Sequence, residues 1–122
     1  MPPVMRPTIL MVDDHYAFRT RARVMLEAAG FDVVGEASDG LGGLEAAQQL
    51  EPELVLVDIG LPDIDGFEVA ARLRDGGTAE RIVLISGREA ADFGGRVERS
   101  AADGFIAKQD LSGERVREML RS

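Results

Sequence analysis

Three short apolar runs punctuate the chain: Ile9-Leu10-Met11-Val12, Leu54-Val55-Leu56-Val57 and Ile82-Val83-Leu84-Ile85. None alternates with polar residues, the pattern of a strand buried on both faces in a parallel sheet covered by helices. Two weaker runs, 31–37 and 104–107, carry less apolar character and suit sheet edges. Between the runs, apolar residues recur at helical spacing. Phe18, Ala22, Met25, Leu26 and Ala29 mark a first helix, stopped by Gly30. Leu44, Ala47 and Leu50 mark a second, ended by Pro52. Phe67, Ala70 and Leu73 mark a third, ended by Gly76-Gly77, and Leu111, Val116, Met119 and Leu120 mark the last. A further helix belongs between the fourth and fifth strands, but Gly94-Gly95 interrupts it. Each internal Gly costs about 1 kcal/mol relative to Ala, so that helix is expected to be short, frayed or irregular.

Strand and helix alternate five times over. Right-handed crossovers then give a doubly wound α/β fold, a five-stranded parallel sheet of flavodoxin-like (βα)5 type with order 2-1-3-4-5. In such a sheet the site lies at the carboxyl ends of the strands, near the switch point. At 122 residues the chain reads as one domain, residues 1–122.

The residues following the apolar runs carry the chemistry. Asp13-Asp14 follow the first strand, Asp58 the third, Ser86 the fourth and Lys108 the fifth. An Asp after a strand is usually a turn former or helix cap. Three carboxylates, a hydroxyl and an amine at one sheet edge are better explained together, as a site for phosphate and metal.

Composition narrows the field. Fourteen basic residues against 22 acidic ones leave a net charge of −8, which argues against nucleic acid as a direct partner. Without Cys there is no disulfide, thiolate zinc site or Cys nucleophile. No apolar run approaches the roughly 18 residues of a membrane span, and residues 1–7 have no signal-peptide h-region. The expectation is a soluble, cytoplasmic protein with no membrane partner. Of the basic residues only Lys108 is lysine.

The motifs resemble the receiver domain of two-component response regulators, the CheY-like family, from Ile9 to about Leu120. Val12-Asp13-Asp14 is similar to that family's acidic pair. Asp58 through Gly66, with Pro62 four and Gly66 eight residues after the Asp, resembles its phosphoacceptor loop. Leu84-Ile85-Ser86-Gly87 looks like the segment carrying the switch hydroxyl. Gly104-Phe105-Ile106-Ala107-Lys108 looks like the one carrying the switch aromatic and the lysine, in the flavour of receivers joined to helix-turn-helix output domains.

The resemblance implies that Asp58 is the phosphoacceptor, taking a phosphoryl group from a sensor histidine kinase or phosphotransfer protein. It implies Mg²⁺ held by Asp14, Asp58 and the Gly60 carbonyl, with Asp13 acting largely through water. Lys108 would face Asp58 and later the phosphate, and Ser86 would bond a phosphoryl oxygen. Phe105 would rotate into the space behind Ser86, changing a face formed by the fourth helix, fifth strand and fifth helix. Gly60 and Arg88 would tune the lifetime of the phosphate. The protein would catalyse its own phosphorylation and dephosphorylation without being an enzyme in the ordinary sense. Its partners downstream would be an effector protein, an output domain outside this chain, or a phosphorylation-dependent second copy. His15 reads as a surface or kinase-contact residue.

Two positions depart from the family pattern. Gln109 stands where Pro often follows the lysine, making a cis bond there improbable. The Gly94-Gly95 pair loosens part of the expected output face. Among rivals, an Asp-based phosphohydrolase needs a second carboxylate two residues after the nucleophile, where this chain has Gly60. A flavodoxin-type protein needs a hydroxyl-rich phosphate loop after the first strand, where this chain has two carboxylates. A receiver-like protein-binding module that accepts no phosphate stays open as the alternative.

Overall fold

The computed structural model describes residues 5–121. In chain order they form β1 (Thr8–Val12), α1 (Tyr16–Ala28), β2 (Asp32–Ala37), α2 (Gly40–Leu50), β3 (Leu54–Asp58), α3 (Gly66–Gly76), β4 (Arg81–Ser86), β5 (Gly104–Ala107) and α4 (Gly113–Arg121). Short 3₁₀ turns lie at Ala90–Phe93 and Lys108–Asp110. The strands make one parallel sheet of order β2-β1-β3-β4-β5, with the two weaker runs at its edges as expected.

The three strong runs are the central strands because successive side chains on a strand point to opposite faces. Ile9, Met11, Leu54, Leu56, Val83 and Ile85 face one side and pack with Leu26 of α1 and Val116 of α4. Leu10, Val12, Val55, Val57, Ile82 and Leu84 face the other and pack with Ala47 of α2 and Val69 and Leu73 of α3. All twelve are at most 1% exposed, so both faces are covered. The stop signals act where they were read. Gly30 and Gly77 take positive φ beyond α1 and α3, and Glu51 takes it just before Pro52.

The fourth crossover corrects the five-helix expectation. No α-helix forms there. A 3₁₀ turn ends at Gly94, which like Gly95 has positive φ, and irregular turns follow. Two consecutive left-handed residues cannot continue a right-handed helix. Phe93, Val97 and Ala102 still pack on the second face, so the segment covers the sheet without regular helix. The last helix is therefore the fourth, and the expected output face lacks its helical edge. The described chain has no cis peptide, Lys108–Gln109 included.

Candidate functional site

Strand register brings the acidic residues together. Val12 pairs with Val57 across β1 and β3, so Asp13 and Asp58 emerge side by side at the strand ends. Asp13 is 1% exposed and Asp58 4%, whereas Asp14 faces solvent. Backbone bonds hold both buried positions: Asp13 donates its N–H to the Ala37 carbonyl, and Ile59 donates to Ile85.

Lys108 follows β5, two strands away from β3, and only its long stem lets it reach. Its ammonium lies 2.7 Å from Asp13 Oδ2 and 3.5 Å from Asp58 Oδ2. The lysine thus faces Asp58 as expected but stands closer to Asp13. The Phe18 ring supports it from α1, its centroid 4.5 Å from Nζ.

Burial pushes the Asp58 carboxyl above its ordinary value, and the neighbouring Asp13 charge adds to this. Lys108, the Gly60 N–H and His15 pull the other way without cancelling it.

Asp58 lies in a cleft of about 580 Å³ lined also by His15, Gly60, Ser86, Arg88, Phe93 and Lys108. Ser86 is buried at the end of β4, and its Oγ accepts the Arg88 backbone N–H at 3.1 Å. Gly60 is exposed, with open space where a Cβ would stand, so nothing steric demands glycine there. Phe105 is half-buried against the second-face cluster, on the strand beside Leu84.

The loop after Asp58 shows what its glycine and its two further acids do. A Cβ on Gly66 would meet the Asp58 carbonyl oxygen at 2.5 Å and Ile59 Cα at 2.7 Å, so only glycine lets α3 start this close to the acceptor. Gly66 donates its N–H to Ile59 at 2.9 Å. Asp65 caps α3 by accepting from Glu68 N–H, and Asp63 accepts from Gly40 and Leu41 N–H at the start of α2. These two acids are committed to helix ends and take no part in the cleft.

His15, read from the sequence as a surface or kinase-contact residue, is exposed, and its ring also borders the acidic pair. Its Nδ1 lies 3.1 Å from Asp13 Oδ1, 3.2 Å from Asp14 Oδ1 and 3.8 Å from Asp58 Oδ2. Adjacency to the acidic pair was the available signal, but not the direction of the ring. Asp13, Asp14, His15 and Asp58 each place a ligand atom within 4.8 Å of the others. Three carboxylates facing one ammonium retain excess negative charge, and hard oxygen donors suit Mg²⁺. The three carboxylates therefore fit the metal that the family resemblance implies.

Comparison with known proteins agrees with this geometry. The Response_reg family, described as the response regulator receiver domain, matches residues 9–121. The transcription regulator BvgA of Bordetella pertussis is 40% identical over 102 residues, 84% of this chain and 49% of that protein. The nitrate/nitrite response regulator NarL of Escherichia coli is 36% identical over 102 residues, covering 83% of this chain and 47% of that one. The chain thus spans about half the length of the curated relatives it matches. The signal receiver domain of a NarL response regulator from Mycobacterium tuberculosis superposes with TM-score 0.87 at 28% identity, covering 96% of this chain and 98% of that chain. The response regulator domain of Thermotoga maritima CheB gives 0.84 at 25% identity, with 97% and 98% covered. The chain belongs to the response regulator receiver domain family.

Proposed function

We propose that Asp58 is a phosphoacceptor, taking a phosphoryl group from a histidine of a sensor kinase or phosphotransfer protein. The observation that carries this is the buried Asp58 carboxylate lining a cleft, with Asp13 and the Lys108 ammonium beside it. An Asp58 oxygen forms the new O–P bond as the P–N bond to the donor imidazole breaks, and the imidazole leaves. Catalysis of such a transfer is mostly positioning and charge stabilisation, which the protein supplies to itself. Mg²⁺ at Asp13, Asp14, Asp58 and the Gly60 carbonyl would neutralise charge on the carboxylates and the phosphoryl oxygens.

Lys108 follows the charge from the carboxylates to the phosphoryl oxygens; a point charge on a flexible stem suits that movement. Ser86 donates its hydroxyl to a phosphoryl oxygen, drawing the β4 loop inward, and Phe105 turns into the space behind it. The surface of residues 87–103, β5 and α4 carries the signal. Arg88, which lines the cleft as Gly60 does, shields the phosphate from water; equal dephosphorylation rates in Arg88→Ala and the parent would refute this. We read residues 1–122 as one receiver domain acting in the cytoplasm. It acts on an output domain outside this chain, a separate effector, or a second phosphorylated copy. The curated relatives named as regulators are about twice as long, which supports the first.

The test is incubation with a small phosphodonor, with and without Mg²⁺, followed by intact mass. A gain of one phosphate that disappears in Asp58→Ala supports the proposal. No gain with any donor favours a protein-binding module that accepts no phosphate.

A further inference from the structure

We propose that His15 is a fourth ligand of the acidic pocket. Its ring nitrogen makes the site take late first-row divalent ions such as Ni²⁺, Co²⁺ and Zn²⁺ in preference to Mg²⁺. This rests on the reading of Asp13, Asp14 and Asp58 as a divalent-cation site.

The backbone sets the ring in place. His15 is the residue before α1, in extended conformation (φ −91°, ψ 99°). Its N–H donates to Asp13 Oδ1 at 2.8 Å, which fixes the turn between strand and helix. From there the imidazole, though its side chain is 64% exposed, turns back over the strand ends instead of outward. Its Nδ1 comes within 3.8 Å of one oxygen from each of the three aspartates. The same nitrogen hydrogen-bonds Asp13 Oδ1 at 3.1 Å and lies 3.4 Å from the Lys108 ammonium, so a bound cation would take the place of that hydrogen bond and displace the ammonium.

A second observation is independent of His15. Asp13 Oδ2, in a carboxylate 1% exposed, faces Lys108 at 2.7 Å without a well-aligned hydrogen bond. This oxygen is ion-paired with the ammonium but accepts no aligned hydrogen bond, so it keeps an acceptor position that a cation could use.

Three carboxylates alone form an oxygen site, suited to Mg²⁺ and Mn²⁺. Adding an imidazole changes its class. A neutral imidazole nitrogen is a good ligand for nickel, cobalt and zinc and a poor one for Mg²⁺, and affinity along the first row rises toward nickel and copper. His15 therefore sets which cation the pocket prefers, while the aspartates set that it binds one at all.

The chain has a single histidine, which makes the test unambiguous when no affinity tag is added. Calorimetric titration of the full chain with MgCl₂ and with NiCl₂ is expected to give at least about a hundredfold tighter binding of Ni²⁺. His15→Ala should lose about tenfold or more for Ni²⁺ while Mg²⁺ stays within about twofold. With Co²⁺, the parent should show one strongly shifted imidazole N–H proton resonance that His15→Ala lacks.

Unchanged Ni²⁺ binding in His15→Ala overturns the proposal. So does an equal loss for both ions, which would make His15 a support of the pocket and not a ligand. If the parent binds neither ion, the metal reading itself fails. If it binds both and His15→Ala alters neither, only the role of His15 fails.

Discussion

Lys108 Nζ lies 2.7 Å from Asp13 Oδ2 but 3.5 Å from Asp58 Oδ2, so the one lysine of the chain stands closer to the acid of β1 than to the proposed acceptor. Two buried carboxylates share one ammonium.

Replacing Lys108 tests that sharing. In Lys108→Met, Asp13 and Asp58 keep their charges with no ammonium between them, and breaking a buried pair from one side is costly. The expected loss is roughly 1–3 kcal/mol in urea unfolding at pH 7 without divalent cations. Added Mg²⁺ should restore part of it. An unchanged midpoint would mean that the ammonium contributes nothing to holding the carboxylates together.

Asp58 should weaken the fold at neutral pH. Its folded carboxyl binds a proton more tightly than the unfolded one, because burial and Asp13 oppose its charge. Its stabilising contribution is therefore complete below the unfolded value near 3.9 and is lost as pH rises through the folded value. Asp58→Asn removes a group that is charged and disfavoured at pH 7, so stability there should rise by on the order of 1 kcal/mol. The gain should shrink below about pH 4. A lower midpoint at pH 7 would contradict this reading.

Gly66→Ala should injure the acceptor loop from behind. The new methyl would press on the Asp58 carbonyl and on Ile59, both backbone groups that cannot swing aside. Overpacking of this kind costs about 1–3 kcal/mol. The displaced Asp58 should also take phosphate more slowly from a small donor. Parent-like stability and rate would show that α3 has slack at its start.

Asp63 is expected to matter for stability with a distinct pH profile. Its bonds to the N–H groups of Gly40 and Leu41 hold its carboxyl down to about 2. A lowered value stabilises the fold above the unfolded value near 3.9, and this is lost as pH falls through about 2. Asp63→Ala should therefore lower the melting temperature at pH 7 while differing little from the parent near pH 2. The side chain is exposed, so the effect is modest. An equal effect at both pH values would refute a charge-dependent tie between the loop and α2.

The parts legible in the sequence are those encoded by neighbours along the chain. Strand runs such as Leu54–Val57 declare their burial by being unbroken, and Gly30, Pro52 and Gly77 stop helices through backbone geometry alone. Once the strand order follows, Asp13, Asp14, Asp58, Ser86 and Lys108 must share one edge, because each ends a strand or comes within two residues of its end. The Gly94-Gly95 pair announced a defective crossover for the same local reason, though not that helix would be lost altogether. What tertiary structure decided is which atoms meet. Lys108 and Asp13 are brought to 2.7 Å by the pairing of strands and the reach of a four-carbon stem. The inward turn of His15 depends on the bond from its N–H to Asp13. The need for Gly66 depends on how closely α3 approaches Asp58. Periodicity and turn chemistry act over a few residues, while these distances arise from packing among groups that are neighbours only after folding.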